Sequence, residues 1–334
     1  MAIEKRIKAF VKLGEYISLF PKDLREAMTH AKARNQWFTI ENIERSLTSI
    51  AKEFLAEDKL RAWLSSYNLK NDSKVIGIVA AGNIPLVAFH DILCILISGY
   101  QIKIKLSDKG SILIPFLLNK LIEIESDFKD KINVVERLNN FDAVIATGSN
   151  NSARYFEYYF GKYPNIIRKN RNSVAILNGK ESSEDLSLLG EDIFSYFGLG
   201  CRNVSKLWLP KDYNFQPFIQ AISNYIHLMD HYHYKNNLDY NRTLLLMNQV
   251  PMLDVDFVNL VEHEMIASPI SNIHYEFYDS IENVHQELDL KKEEIQCVVG
   301  NESSICNIGF GQAQSPSLMD YADNIDTMSF LEEL

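Results

Sequence analysis

Residues 74–106, KVIGIVAAGNIPLVAFHDILCILISGYQIKIKL, hold the pattern that decides the fold. KVIGIVA (74–80) and QIKIKL (101–106) are short β-rich runs, and an apolar stretch expected to be helical over about 84–98 separates them. In the turn AAGNIPL (80–86), Pro85 suits a first helical position. Asn83 then stands at or just before the cap, where its amide either closes the helix or points into a cleft. Buried strands alternating with helices in this way make a mostly parallel sheet with helices on both faces.

The alternation continues outward. A helix is expected over about 111–124, strands at KINVVE (131–136) and FDAVIAT (141–147), a helix from about 150, and a strand at NSVAILN (172–178). GKESSEDL (180–187) suits a crossover between domains. A helix over 185–198 then leads to a cysteine loop, followed by the strand SKLWLP and a helix over 213–229. Farther on, VNLVEHEMI (258–266) reads as helix and IQCVVG (295–300) as strand. Upstream, residues 1–70 carry Lys, Glu, Ala and Leu at helical spacing, with Thr39 as a cap ahead of Ile43, Leu47, Ile50, Phe54 and Leu55, and form a helical N-terminal layer.

At 334 residues the chain suits one large or two medium domains, and its 46% hydrophobic and 23% charged content is ordinary for a soluble protein. A net charge of −10 argues against non-specific binding to nucleic acid or anionic membranes. The N-terminus, MAIEKRIKAFVKLG, lacks the apolar core of a signal peptide, and the most apolar stretch (84–99) is short for a bilayer span and holds His90 and Asp91. Cysteines 94, 201, 297 and 306 form neither a CxxC pair nor a dense framework, which suits free thiols in the cytoplasm.

Several motifs invite chemistry. ATGSNNSAR (146–154) follows an apolar strand and opens a helix, so Gly148, Ser149 and first-turn N–H groups suit either a phosphate or an ordinary Ser-capped helix. G-L-G-C-R-N (198–203) begins like a dinucleotide fingerprint, but its sixth position is Asn203 and the strand comes after it rather than before. Within that loop Cys201 lies between Gly200 and Arg202, which leave space and supply positive charge, two conditions that favour a thiolate. The alternative is a small buried cysteine after a flexible turn. His227, His231 and His233 are close in sequence, but no third ligand shares a helical face with the first two, so no metal site is expected.

Taken in order, the GNIP turn, IKIKLSD, ATGSNNSAR, VAILNGK and GLGC resemble the aldehyde dehydrogenase superfamily. With GFGQAQSPSLMDYADNIDTMSFL (309–331), the chain from about 74 to its end is similar to the acyl-CoA reductase family typified by the fatty-acid reductase of bacterial bioluminescence. The resemblance implies an aldehyde-dehydrogenase-like α/β fold with two domains of mostly parallel sheet. Residues 1–185 would hold the helical layer and a nicotinamide-cofactor domain, 186–309 a catalytic domain, and 310–334 a segment returning to the cofactor domain.

By position, the resemblance makes Cys201 the nucleophile and Asn83 the amide that completes an oxyanion hole with the cysteine's own N–H. It places Lys105 and Asp108 near the cofactor's adenosine ribose, and Gly148 and Ser149 at its pyrophosphate. Asp108 suits NADH, whereas Lys103, Lys105 and Lys109 suit the 2′-phosphate of NADPH, which the family favours. Ile176 stands where hydrolytic aldehyde dehydrogenases carry a glutamate base, and isoleucine cannot accept a proton. That departure favours reduction of an acyl-CoA to the aldehyde over hydrolysis of the acyl-enzyme, with long-chain fatty acyl-CoA among the substrates the family implies. The alternatives are a CoA-acylating dehydrogenase working oxidatively and a non-reducing acyl-carrier subunit. A homo-oligomer and an acyl-donating synthetase partner are implied by the family alone.

Overall fold

The computed structural model describes residues 1–69, 73–107, 110–302 and 304–334. It divides into two compact units, residues 1–170 with 316–334, and residues 171–315.

The first unit is built on five strands, β1 (Val75–Ala80), β2 (Gln101–Leu106), β3 (Ile132–Val134), β4 (Ala143–Thr147) and β5 (Asn165–Arg168), in the order β3-β2-β1-β4-β5. All neighbours are parallel. The order reverses between β1 and β4, so the chain leaves their carboxyl ends in opposite directions and opens a crevice there. The helices Phe89–Ser98 and Leu113–Ile124 cover the sheet, and the helices of residues 3–64 form the expected layer over them. Within that layer the Thr39 hydroxyl accepts from Asn42 N–H at 3.1 Å, which starts the helix Ile40–Ser49.

One buried polar knot ties this unit together. Arg168, at the end of β5, forms an ion pair with Asp91 in the first turn of the helix Phe89–Ser98 and donates to Thr327 Oγ1 at 3.0 Å. Thr327 begins the last helix, Thr327–Glu332, so the pair joins sheet, helix and carboxyl-terminal segment. Each charge is out of water and stable only with the other present.

The second unit holds β6 (Asn172–Ile176), β7 (Val204–Pro210), β8 (Met252–Val255), β9 (Val258–Glu262), β10 (Asn272–Tyr278) and β11 (Ile295–Val299), in the order β11-β6-β7-β10-β9-β8. Only the β8–β9 hairpin is antiparallel.

Several elements differ from expectation. The boundary lies at 170/171 rather than 185, because NSVAILN supplies β6, hydrogen-bonded between β7 and β11 of the second sheet. The carboxyl-terminal segment joins the first unit from Pro316 rather than 310. The helix expected from 84 begins at Phe89, since Leu86 takes a left-handed φ of 60° that no helix continues through. VNLVEHEMI is not a helix. Its first half is β9, buried on both faces, and a short apolar run of that kind has no periodicity to separate strand from helix. Conversely, Tyr232–Met247 is a helix with few buried positions, so it carries little amphipathic signal. NIIR, which is β5, also escapes the sequence pattern.

His90 tests the packing of the first unit. Its ring stacks on Phe54 at 4.8 Å and lies 5.3 Å from Tyr321, and its buried Nε2 has no hydrogen-bond partner among the described residues. Burial lowers its pKa from 6.5 to about 4. An unfolded chain takes up this proton near pH 6.5 and the folded one only near 4. Stability from the neutral ring is therefore complete above pH 6.5 and is lost as pH falls toward 4, by roughly 3 kcal/mol. Urea denaturation at pH 7 and pH 4 should show the native chain losing about that much more stability than His90→Phe.

Candidate functional site

The candidate site residues fall into two sets, one in each unit. In the first, the carboxyl ends of β1, β2 and β4 bring Asn83, Lys105, Gly148 and Ser149 to one edge of the sheet. Register places Val79 opposite both Lys105 and Ala146, so the three strands end at a common level. Asn83 is exposed and stands in the turn ahead of the helix Phe89–Ser98, too far from its first residue to cap it.

The turn is held from the helical layer. Asn35, 2% exposed, donates from Nδ2 to the Gly82 carbonyl at 3.1 Å, and Ser46 donates to the Pro85 carbonyl at 2.9 Å. The backbone on both sides of Asn83 is thereby fixed by residues from outside the sheet. Neither Asn35 nor Ser46 stands out in the sequence, because Asn35 reads as an ordinary residue after the helix Lys22–Arg34 and Ser46 as the solvent face of an amphipathic helix.

Gly82 is packed tightly. A Cβ there would collide with Ser107 Oγ and lie 2.9 Å from Gly110 N. Ser107 Oγ is buried without a hydrogen-bond partner among the described residues. Beside it, Lys105 is exposed, while Lys103 donates to the Asn139 and Asn140 carbonyls at 3.0 and 2.9 Å. Asp108 and Lys109 lie outside the described residues.

At the end of β4 the capped-helix geometry is present. Ser149 Oγ accepts from Ser152 N–H at 3.3 Å and starts the helix Asn150–Phe160. A Cβ on Gly148 would meet Phe156 and Ser152 at 2.8 Å, so this glycine is required by the packing of its own helix.

The second set surrounds Cys201, which is half-buried between the helix Ser183–Phe194 and β7. Tyr196, Phe197 and Gly198 have φ of 53°, 60° and 74°, three consecutive left-handed residues, two of them aromatic. Each non-glycine residue held this way costs on the order of 1–3 kcal/mol. Fully buried Asn203 donates from Nδ2 to the carbonyls of Asp192, Ile193 and Ser195 at 3.0, 3.2 and 2.8 Å, and its Oδ1 accepts from Gly200 N–H at 2.8 Å. Asp192, also fully buried, accepts from Gly311 and Ala313 N–H at 2.7 and 3.0 Å, and burial raises its pKa to about 6. Arg202 Nε donates to the Ala313 carbonyl, and Ser173 Oγ to the Cys201 carbonyl at 3.1 Å.

Beside the left-handed run lies a small open cleft of mixed lining, with Phe197, Val204 and Tyr234 against Ser205, Ser271 and Asn272. Ile176 is buried in an apolar cluster with Val174, Trp208 and Ile266. His231 caps the helix Tyr232–Met247 and stacks on Phe197 at 4.2 Å. Among the described residues no helix is long and apolar enough to cross a membrane.

The family model for acyl-CoA reductase (LuxC) matches residues 12–241. No curated protein sequence matches the chain. Among solved structures, the fold is similar to aldehyde dehydrogenase 21 from Physcomitrella patens, with 10% identity and a TM-score of 0.72 over 100% of this chain and 84% of that one. It is also similar to an NAD-dependent aldehyde dehydrogenase from Sinorhizobium meliloti (12% identity, TM-score 0.67, 91% and 72% covered). An indole-3-acetaldehyde dehydrogenase from P. syringae, solved with NAD+ and IAA, is similar to the same degree (12% identity, TM-score 0.66, 91% and 73% covered). The architecture is therefore aldehyde-dehydrogenase-like, with one all-parallel and one mostly parallel sheet.

Removing the amide of Asn35 strands the buried Gly82 carbonyl, so Asn35→Ala should cost about 1–3 kcal/mol in urea denaturation. Gly82→Ala should cost more, because Ser107 and the backbone at Gly110 must both move.

Proposed function

The chain belongs to the acyl-CoA reductase (LuxC) family, a family of oxidoreductases, and from that premise we propose that it reduces an acyl-CoA to the aldehyde through an S-acyl intermediate on Cys201. The observation that carries this is the Cys201 loop, a strained backbone held in one conformation by buried polar side chains. Such strain persists where the surroundings over-determine it, and an inert buried cysteine would not require it.

The Cys201 thiolate attacks the thioester carbonyl, and the Cys201 N–H meets the negative charge that forms on oxygen, with the Asn83 amide as the second donor that the family resemblance implies. The bond to CoA sulfur then breaks, CoA leaves as the thiol with a proton, and the acyl group remains on Cys201. A nicotinamide cofactor would be held at the corner of Gly82, Ser107 and Lys105 and would supply the hydride that releases the acyl group from Cys201 as the aldehyde, with the Cys201 thiolate regenerated.

The corner of Gly82, Ser107 and Lys105 suits such a cofactor. It has a buried hydroxyl with no partner among the described residues, an exposed cation, and a glycine with no room for a side chain at the strand-order reversal. Lys105 beside a 2′-phosphate favours NADPH over NADH. Ile176 in its apolar cluster supplies no base for hydrolysis, so the acyl-enzyme waits for hydride.

The test is loss of absorbance at 340 nm with NADPH or NADH against acyl-CoAs of increasing length, with radiolabelled acyl-CoA to follow the protein-bound acyl group. The native chain should become labelled and form aldehyde, and Cys201→Ala should do neither. Asn83→Ala should keep its fold and lower kcat about 100- to 1,000-fold, the worth of one oxyanion donor. Labelling of Cys201→Ala would overturn the assignment.

A further inference from the structure

Asn203 is the residue that spoils the dinucleotide fingerprint in G-L-G-C-R-N, and its side chain does more than fill the core. We infer that Asn203 is a positioning residue for Cys201, latching the turn so that the cysteine's N–H is aimed at the reacting carbonyl oxygen. This rests on the acyl-transfer reading above.

Asn203 grips Gly200 twice. Its Oδ1 accepts from Gly200 N–H at 2.8 Å, and its own N–H donates to the Gly200 carbonyl at 3.0 Å. Cys201 is therefore the second residue of a turn closed from both sides. The Gly200–Cys201 peptide is trans and planar, so the Cys201 N–H lies opposite the Gly200 carbonyl. With that carbonyl drawn inward to Asn203, the N–H is turned outward. The next peptide is held as well, since Ser173 Oγ donates to the Cys201 carbonyl.

The latch has a rigid anchor. The three carbonyls that Asn203 Nδ2 meets lie in the last turn of the helix Ser183–Phe194 and just beyond it, where helical carbonyls have no partner of their own. The left-handed run at 196–198 then carries the chain from that helix end to Gly200. Without the Asn203 amide, the helix-end carbonyls lose a donor and the Gly200 N–H loses its acceptor. The run then lacks the side chain that ties its two ends together, and relaxes. Arg202 and Asp192 secure the far side of the loop, through the backbone at Gly311 and Ala313. An oxyanion donor is useful only when it is preorganised, because its contribution depends on needing no movement as charge develops.

Two reactions of the same sulfur separate positioning from mere folding. Acyl transfer from radiolabelled dodecanoyl-CoA builds an oxyanion, whereas alkylation by iodoacetamide displaces iodide at a saturated carbon and builds none. Both rates are read at the Cys201 peptide by mass spectrometry and normalised to the folded fraction from thermal melting. Asn203→Ala should lower acyl transfer at least about tenfold, a part of what one oxyanion donor is worth. Its alkylation rate should stay within about threefold of native. Should Asn203→Ala not fold, Asn203→Ser, whose hydroxyl is shorter than the amide and falls short of Gly200, should give the same change in the ratio. Equal falls in both rates, or an unchanged ratio, would overturn the inference. Should the native chain itself fail to acylate at Cys201, the proposed reaction and this inference fall together. Native acylation with an unchanged ratio in the variants sinks the latch alone.

Discussion

Two aromatic residues and a glycine in left-handed conformation, one after another, cannot be sustained by local preference. Tyr196, Phe197 and Gly198 stay there because the ends of the run are fixed, at one side by the carboxyl end of the helix Ser183–Phe194 and at the other by the turn at Gly200. Asn203 holds both ends with a single side chain. The placement of Cys201 follows from this constraint, since the turn closed by Asn203 allows the cysteine little freedom in its flanking peptides. The tilted contact of His231 with the Phe197 ring is a further consequence of where the strained run sits.

The first unit solves a similar problem by other means. Its sheet reverses strand order between β1 and β4, which by itself creates a crevice at the ends of these strands. The turn carrying Asn83 is a loop at that crevice, and its own residues do not suffice to decide its shape. Asn35 and Ser46 reach it from the helical layer and hold carbonyls on either side of Asn83. The amino-terminal helices thus support the candidate site as well as covering the sheet. In both units a buried amide or hydroxyl donates to the backbone beside a site residue. This fixes a loop at little cost, because the donor is satisfied and the loop carbonyl is too.

Much of the architecture is legible in the sequence. The strand, GNIP turn, helix and strand of residues 74–106 imply a parallel sheet, and β1, β2 and β4 lie where the runs KVIGIVA, QIKIKL and FDAVIAT place them. The failures have a common cause. β9 is buried on both faces and β5 is only four residues long, so neither shows a period. The helix Tyr232–Met247 buries Tyr234, Leu238 and Asn241 and little else, so its pattern is nearly that of a polar segment. NSVAILN reads as a strand, but no property of a strand says which sheet it joins.

The site divides along the same line. The chain's own residues specify which groups are candidates for reactive chemistry, because a thiol beside glycine and arginine, an amide in a strand-to-helix turn and a lysine at a strand end are properties of residue type and immediate neighbours. Family membership is likewise read from sequence, through the family-model match over residues 12–241. Tertiary structure alone decided what holds them: Asn203 and Asp192 beneath the cysteine loop, Asn35 and Ser46 beneath the Asn83 turn, and the buried hydroxyl of Ser107 against Gly82. Asn35 is 47 positions from Gly82, Ser46 is 39 from Pro85, and Asp192 is 119 from Gly311. A hydrogen bond depends on distance in space and leaves no periodic trace in the chain, so these supports become visible only once the chain has folded.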